Sequence, residues 1–132
     1  MTTCDSSAIR VLIVDDHELT RLSLSLALQN QHDMELVGLA SNGQEAIDLV
    51  KQHHPDVIIL DLQMPVMDGL SASTHIKSAE PTVQILAYSS LDDPQTEVML
   101  QTAKIDAFRK KDTSTSELIN TVRELSQRAT QL

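Results

Sequence analysis

Short apolar runs alternate with longer stretches of helical periodicity along most of the chain. The runs are Ile9–Val14, Glu35–Ala40, Val57–Leu60, Gln84–Tyr88 and Ala107–Arg109, each of strand length. The first is continuously apolar, the pattern of a strand buried on both faces. A helix is predicted over Glu18–Gln29, where Leu22 with Leu26 and Leu24 with Leu28 form two i,i+4 rows. A second starts after Ser41-Asn42-Gly43, with Asn42 suited to cap its free amides and Ala46, Ile47, Leu49 and Val50 as its inward stripe. His53, His54 and Pro55 close it, since proline cannot continue a helix and disfavours helix in the residue before it. A third helix is predicted from near Gly69 and a fourth from about Pro94 to Thr102. The last opens on Ser114-Thr115-Ser116-Glu117, a capping box, and carries Leu118, Ile119, Val122 and Leu125 on its apolar face. Strand followed by helix, repeated five times, predicts an α/β fold: a doubly wound parallel sheet with helices on both faces.

In such a sheet the carboxyl ends of the strands form the ligand crevice. The runs VLIVDD, VIILD, ILAYS and AFRKK therefore deliver Asp15, Asp16, Asp61, Ser89 and Lys111 to one edge. Asp15 and Asp16 concentrate negative charge at the end of a buried strand, which is costly without a cation. Magnesium suits them, because it takes hard oxygen ligands and binds through one or two carboxylates plus phosphate. The plainer alternative, that the pair only complements the first helix dipole, loses ground because Asp61 aligns on another strand. Asp61 must emerge at the crevice or lie buried at a cost of several kcal/mol. It is the best nucleophile candidate, an aspartate able to form an acyl phosphate if a metal and a cation screen the two negative partners. Lys111 offers the cation and Ser89 a hydroxyl. Lys110 competes for the cationic role; successive strand residues point to opposite sides, but alternation alone does not choose between the two lysines.

Composition narrows the setting. At 132 residues the chain fits one domain, expected over residues 8–128, with residues 1–7 a flexible N-terminal tail and 129–132 a C-terminal end. Hydrophobic residues make up 41% but aromatics only 2%, so the core is built from Leu, Ile, Val, Met and Ala, and Tyr88 and Phe108 stand out by scarcity. A net charge of −9 argues against a phosphate-backbone binding surface on this segment. No apolar run approaches the roughly 18 residues of a membrane span, and MTTCDSSAIR lacks the layout of a secretory signal, so a cytoplasmic protein with no membrane partner is expected. The single cysteine, Cys4, cannot form an internal disulfide.

The strings VLIVDDHELTR, IILDLQMPVMDGL, ILAYSS and AFRKKD resemble the receiver domain of two-component response regulators, across residues 8–128. The pattern D-x-x-M-P-x-M-D-G, which begins at Asp61, is far more restrictive than any acidic pair. The DDH after the first strand and the SLDD after the fourth are most similar to the NarL-type subfamily, whose outputs are LuxR-type. The resemblance implies a flavodoxin-like (βα)5 fold with strand order 2-1-3-4-5. It implies that Asp61 accepts a phosphoryl group from a sensor histidine kinase. Mg2+ (or Mn2+) would be held by Asp16, Asp61 and the backbone carbonyl of Gln63, with Asp15 reaching it through water. Lys111 would contact the phosphoryl oxygens, Ser89 and Phe108 would form a switch pair, and Pro65 and Gly69 would shape the adjoining loop. The output face would comprise the fourth helix, fifth strand and last helix.

Two departures from the family pattern stand out. Glycines are usual just before the fifth strand, where this chain has Lys104-Ile105-Asp106-Ala107, so the turn must form without easy positive φ. Tyr88 stands where an aliphatic residue is common; buried, it needs a hydroxyl partner and is expected to alter packing under the fourth helix. Two competing functions are weaker. A haloacid-dehalogenase-like phosphohydrolase places a second Asp two residues after its nucleophile, where Gln63 stands here. A phosphorylation-independent receiver-like interaction module usually lacks an acidic or lysine position, and none is missing. No glycine-rich phosphate loop follows the first strand. NarL-type receivers normally precede a helix-turn-helix domain, which the single helix after residue 113 cannot make. The chain therefore reads as a stand-alone receiver or, preferably, an excised part of a transcription regulator that meets DNA only through a domain absent here. By analogy with the family, kinase choice falls to the first helix, where Leu19, Arg21 and Leu22 are test positions, and to the loop after the fifth strand; a homodimer is compatible with the sequence.

Overall fold

The computed structural model describes residues 8–62, 69–89 and 104–130. Its elements are β1 (Ile9–Val14), α1 (Glu18–Gln29), β2 (Met34–Ala40), α2 (Gly43–His53), β3 (Val57–Leu60), α3 (Gly69–Ala79), β4 (Gln84–Ser89), β5 (Ala107–Lys110) and α4 (Thr115–Thr130). The strands form one sheet in the order β2-β1-β3-β4-β5, and all neighbours are parallel. This is the expected 2-1-3-4-5 order. Three expectations, the tail over residues 1–7, the loop residues Gln63 and Pro65, and the helix over Pro94–Thr102, lie outside the described residues.

The central strands have no solvent face. Every residue of β3 and β4 is buried, and strand alternation divides the apolar side chains between two cores. On one face Ile9, Val11, Ile13, Val57, Ile59, Leu86 and Tyr88 pack with Leu24 and Leu28 of α1 and Leu118, Ile119, Val122 and Leu125 of α4. On the other, Leu12, Val14, Ile58, Leu60 and Ile85 pack with Ala46 and Val50 of α2 and Ala72 and Ile76 of α3. Burial of Met34 at the edge of the first core lets β2 begin one residue before the expected Glu35. Of the two leucine rows on α1, only Leu24 and Leu28 turn inward, while Leu22 and Leu26 are 53% and 54% exposed. A bulge between Val11 and Leu12 shifts the β1–β2 register past Val37, and a Cβ on Gly38 would come within 3.2 Å of Leu12 Cδ1 and 3.3 Å of Leu49 Cδ1.

Local polar groups close the helices as their residue types predict. Asn42 Oδ1 accepts from Glu45 N at 2.9 Å, and Glu45 Oε1 in turn accepts from Ser41 N and Oγ at 2.7 and 2.9 Å. Those bonds from Ser41 hold the Glu45 carboxyl below its usual range. His54 is the left-handed C-cap of α2 at φ 48°, and its Nδ1 meets Glu80 Oε1 at 2.5 Å, joining the ends of α2 and α3. At α4, Ser114 Oγ accepts from Glu117 N at 3.2 Å.

The glycine-free turn before β5 needs no positive φ. Among the described residues His54 alone of the non-glycines has one. Instead, the Asp106 side chain shapes the turn: Oδ2 accepts from Ile85 N at 2.8 Å and pairs with Lys77 Nζ at 2.8 Å, while Asp106 N donates to Ile85 O at 2.8 Å. The expected change of packing under the helix over Pro94–Thr102 lies outside the described residues. Tyr88 packs with the α1 and α4 side chains, because β4 alternation sends residues 86 and 88 to the same side as α1. Burial pushes its hydroxyl pKa up, although the nearby Lys111 charge opposes this.

Arg123 fastens α4 to the turn after α1, donating from Nε to Asp33 Oδ2 at 2.8 Å and from Nη2 to Gln31 Oε1 at 2.6 Å. The guanidinium hydrogen bond holds the Asp33 carboxyl below its ordinary value of 3.8. A depressed carboxyl stabilises the fold above its unfolded pKa and loses that contribution as pH falls through the folded one. Both side chains are substantially exposed, at 35% and 46%, so solvent screening limits the pair to less than about 1 kcal/mol. Arg123→Gln is expected to lower stability by this modest amount near neutral pH. In urea melts over a pH series, the difference from wild type should shrink below about pH 4; a difference unchanged at pH 3 would exclude the Asp33 pair as its source.

Candidate functional site

Register places the site. Val14 pairs with Leu60 across β1 and β3, so the next residues, Asp15 and Asp61, leave neighbouring strands side by side. Asp15 N donates to Ala40 O at 3.0 Å and Asp61 N to Val14 O at 2.9 Å, continuing the ladder one residue past each strand. Both carboxylates are almost fully buried, at 2% and 3% exposure. Ser89, wholly buried, ends β4 opposite Lys110, and Lys111 N donates to Ser89 O at 3.0 Å. The ammonium that enters the crevice belongs to Lys111: its Nζ lies 2.7 Å from Asp15 Oδ2 and 3.4 Å from Asp61 Oδ2, whereas Lys110 is exposed. Burial alone would lower the Lys111 pKa, but the close ion-pair contact with Asp15 and the charge of Asp61 outweigh it and hold it above its ordinary value.

Asp16 and His17 complete the rim. His17 N donates to Asp15 Oδ1 at 2.8 Å, and His17 Nδ1 lies 2.9 Å from that oxygen and 3.1 Å from Asp16 Oδ1. Arg21 Nη1 donates to the Asp15 carbonyl at 2.6 Å. One ligand atom each from Asp15, Asp16, His17 and Asp61 falls within a 4.8 Å sphere of mutual distances. Asp15 Oδ2 is buried and, despite its ion-pair contact with Lys111, has no partner in hydrogen-bond geometry. A hard divalent cation fits this donor set: clustered carboxylate oxygens, one with unused acceptor capacity, in a site where a single ammonium offsets three acidic groups. Phe108 on β5 is partly exposed and pairs with Ala87, and Gln63 lies outside the described residues. Sequence reasoning missed the contacts of His17 and Arg21, although His17 sits in the DDH string and Arg21 lies one helical turn further on.

Residues 11–123 match the family model described as the response regulator receiver domain. The chain belongs to the response regulator receiver domain family. It is similar to the response regulator protein VraR of Staphylococcus aureus, with 37% identity over 118 residues that cover 89% of this chain and 56% of VraR. The chain thus spans little more than half the length of that relative. Among solved structures it is similar to the signal receiver domain of NarL from Mycobacterium tuberculosis, with 33% identity and a TM-score of 0.84, covering 92% of this chain and 98% of that one. It is also similar to the response regulator domain of Thermotoga maritima CheB, with 30% identity and a TM-score of 0.81, covering 91% and 97%. This receiver domain is therefore homologous to VraR and to NarL-type regulators. Its family consists of phosphoacceptor switches rather than classical enzymes. No described helix is long and apolar enough to cross a membrane.

The balance of charge at the crevice is directly testable. Lys111→Met keeps much of the side-chain volume but leaves Asp15 and Asp61 without their cation. In metal-free buffer the variant is expected to lose about 1–3 kcal/mol, less than for a fully enclosed pair because Lys111 retains some solvent contact. Magnesium should restore more stability to the variant than to wild type in urea unfolding. Equal magnesium responses would show that Lys111 and the metal do not share the carboxylates.

Proposed function

We propose that this receiver domain is the phosphoacceptor input of a two-component transcription regulator, with Asp61 taking the phosphoryl group from a sensor histidine kinase. The observation that carries the reading is the convergence of buried Asp61, Asp15 and Lys111 at adjoining strand ends. An Asp61 carboxylate oxygen attacks phosphorus, the P–N bond of the phosphohistidine breaks, and its electron pair returns to the imidazole nitrogen, which takes up a proton. The product is an aspartyl acyl phosphate. Attack by water on the same phosphorus releases inorganic phosphate and regenerates the carboxylate, so the domain promotes only its own phosphorylation and dephosphorylation.

Asp16, Asp61 and the Gln63 backbone carbonyl would hold Mg2+ or Mn2+, with Asp15 acting through water. A bound cation supplies positive charge beside the phosphoryl oxygens. Lys111 neutralises a phosphoryl oxygen from the other side. Ser89 donates its hydroxyl to another, and Phe108 follows it inward as the switch partner. A covalent phosphate thereby biases a local two-state element. By analogy with the family α1 is the kinase-facing helix, and Arg21 with the exposed Leu19 and Leu22, at 78% and 53%, are the positions at which to test it. The NarL-type resemblance supports an output domain that binds DNA, beyond an input domain over residues 8–128 flanked by 1–7 and 129–132, and a cytoplasmic setting; a homodimer is compatible with this reading.

Intact-mass measurement after incubation with acetyl phosphate and magnesium tests the reading. Wild type should gain a magnesium-dependent phosphoryl adduct that is absent in Asp61→Asn. A folded wild-type domain that gains none, and whose stability magnesium does not alter, would instead be a phosphorylation-independent interaction module.

A further inference from the structure

From the contacts around Lys111 we infer that Tyr88 is a positioning residue for the site, holding the Lys111 ammonium where it meets Asp15 and Asp61. The inference rests on the phosphoacceptor reading and extends it to a residue on the opposite face of β4. Ser89 and Tyr88 are consecutive, so one reaches the crevice edge and the other the α1–α4 side. Between them they hold both backbone polar groups of Lys111. Ser89 O accepts the Lys111 N–H at 3.0 Å, and the Tyr88 hydroxyl donates to Lys111 O at 3.2 Å.

The Tyr88 ring also lies under the side chain it anchors, with Lys111 Nζ 5.9 Å from the ring centroid. At that distance a cation is drawn to the ring face, while the same ammonium contacts Asp15 at 2.7 Å and Asp61 at 3.4 Å. A lysine is a point charge on a flexible four-carbon stem. Fixing its carbonyl at one end and flanking its ammonium with ring and carboxylates at the other removes much of that freedom. An aliphatic residue at position 88 could fill the core but offers neither the hydroxyl nor the ring. Tyr88 is 8% exposed and, with Leu19, Thr20, Ser23, Leu24 and Thr115, lines a pocket between α1 and the start of α4. The Lys111 position is thereby joined mechanically to that side of the domain.

Tyr88→Phe keeps the ring and removes the hydroxyl, whereas Tyr88→Leu removes both. With acetyl phosphate at saturating magnesium, Tyr88→Phe should be phosphorylated about threefold to tenfold more slowly, the effect of losing one neutral hydrogen bond. Tyr88→Leu should be slower still. Magnesium affinity, measured by calorimetry, should be no weaker than wild type in either, because no proposed ligand is altered. By NMR, the ring-current shift of the Lys111 side-chain methylenes should persist in Tyr88→Phe and vanish in Tyr88→Leu. Wild-type rates in both variants, or equal slowing accompanied by weaker magnesium binding, would reduce Tyr88 to a packing residue and overturn the inference. Absence of an Asp61-dependent adduct in wild type would overturn the phosphoacceptor reading itself, and this inference with it.

Discussion

The β1–β3 register buries two carboxylates beside each other, and the rest of the site answers to that constraint. Asp15 and Asp61 follow a paired Val14 and Leu60, so neither can leave the crevice without breaking the ladder between two central, largely buried strands. Burial raises the cost of both charges, and their proximity adds repulsion. Lys111 answers part of this from β5, and His17 and Arg21 contribute donors from the start of α1. One ammonium against this acidic group leaves a negative excess at short range. That is the condition in which a divalent cation would bind well, and its charge would offset that of an anionic phosphoryl group.

Rigidity elsewhere keeps this arrangement from relaxing. Asp15 and Asp61 sit one step past strands whose side chains are almost all buried, and a close-packed interior does not deform smoothly to accommodate a displaced end. The sheet edges are tied separately. Asp106 bridges β5, β4 and α3 through Ile85 N and Lys77, and Arg123 holds α4 against the turn after α1. Lys111 is thus delivered by a short edge strand anchored at its start by Asp106 and at its end by Ser89 and Tyr88.

The fold and the acidic members of the site were legible because they depend on local patterns: continuous apolar runs, capping residues and polar residues at run ends. What stayed hidden depends on partners distant in the chain. The two leucine rows of α1 have the same spacing, and only contact with α4 and the sheet decides that Leu24 and Leu28 are covered while Leu22 and Leu26 are not. Alternation set Lys110 and Lys111 on opposite sides, but that Lys111 is the one whose ammonium enters the crevice depends on Asp15 and Asp61, which are distant in the chain. The missing glycines before β5 suggested a conformational difficulty because the Asp106 side chain, which shapes the turn, finds its partners on Ile85 and Lys77. The alternation of Tyr88 was readable, but the helices covering its face, α1 and α4, were set by topology.

Charge arithmetic decides how such a domain can transmit a signal. Phosphorylation of Asp61 would replace one carboxylate charge with the roughly two of an acyl phosphate, a net gain of about one negative charge on a chain that already carries −9, and beyond roughly 10 Å salt screens it. The far field of the phosphorylated and unphosphorylated domains therefore differs little, and a partner on another face cannot read phosphorylation by electrostatic attraction alone. The change must pass through contacts at the crevice itself. The groups there with covalent routes to other surfaces are Ser89 and Lys111, at the ends of β4 and β5, and the fully buried Ser89 cannot move toward a phosphoryl oxygen without changing what its neighbours touch. On one side of β4 lies Phe108, paired with Ala87 and already partly exposed; on the other lies Tyr88, bonded to the Lys111 carbonyl. A single displacement at the end of β4 is thus presented to both faces of the sheet at once.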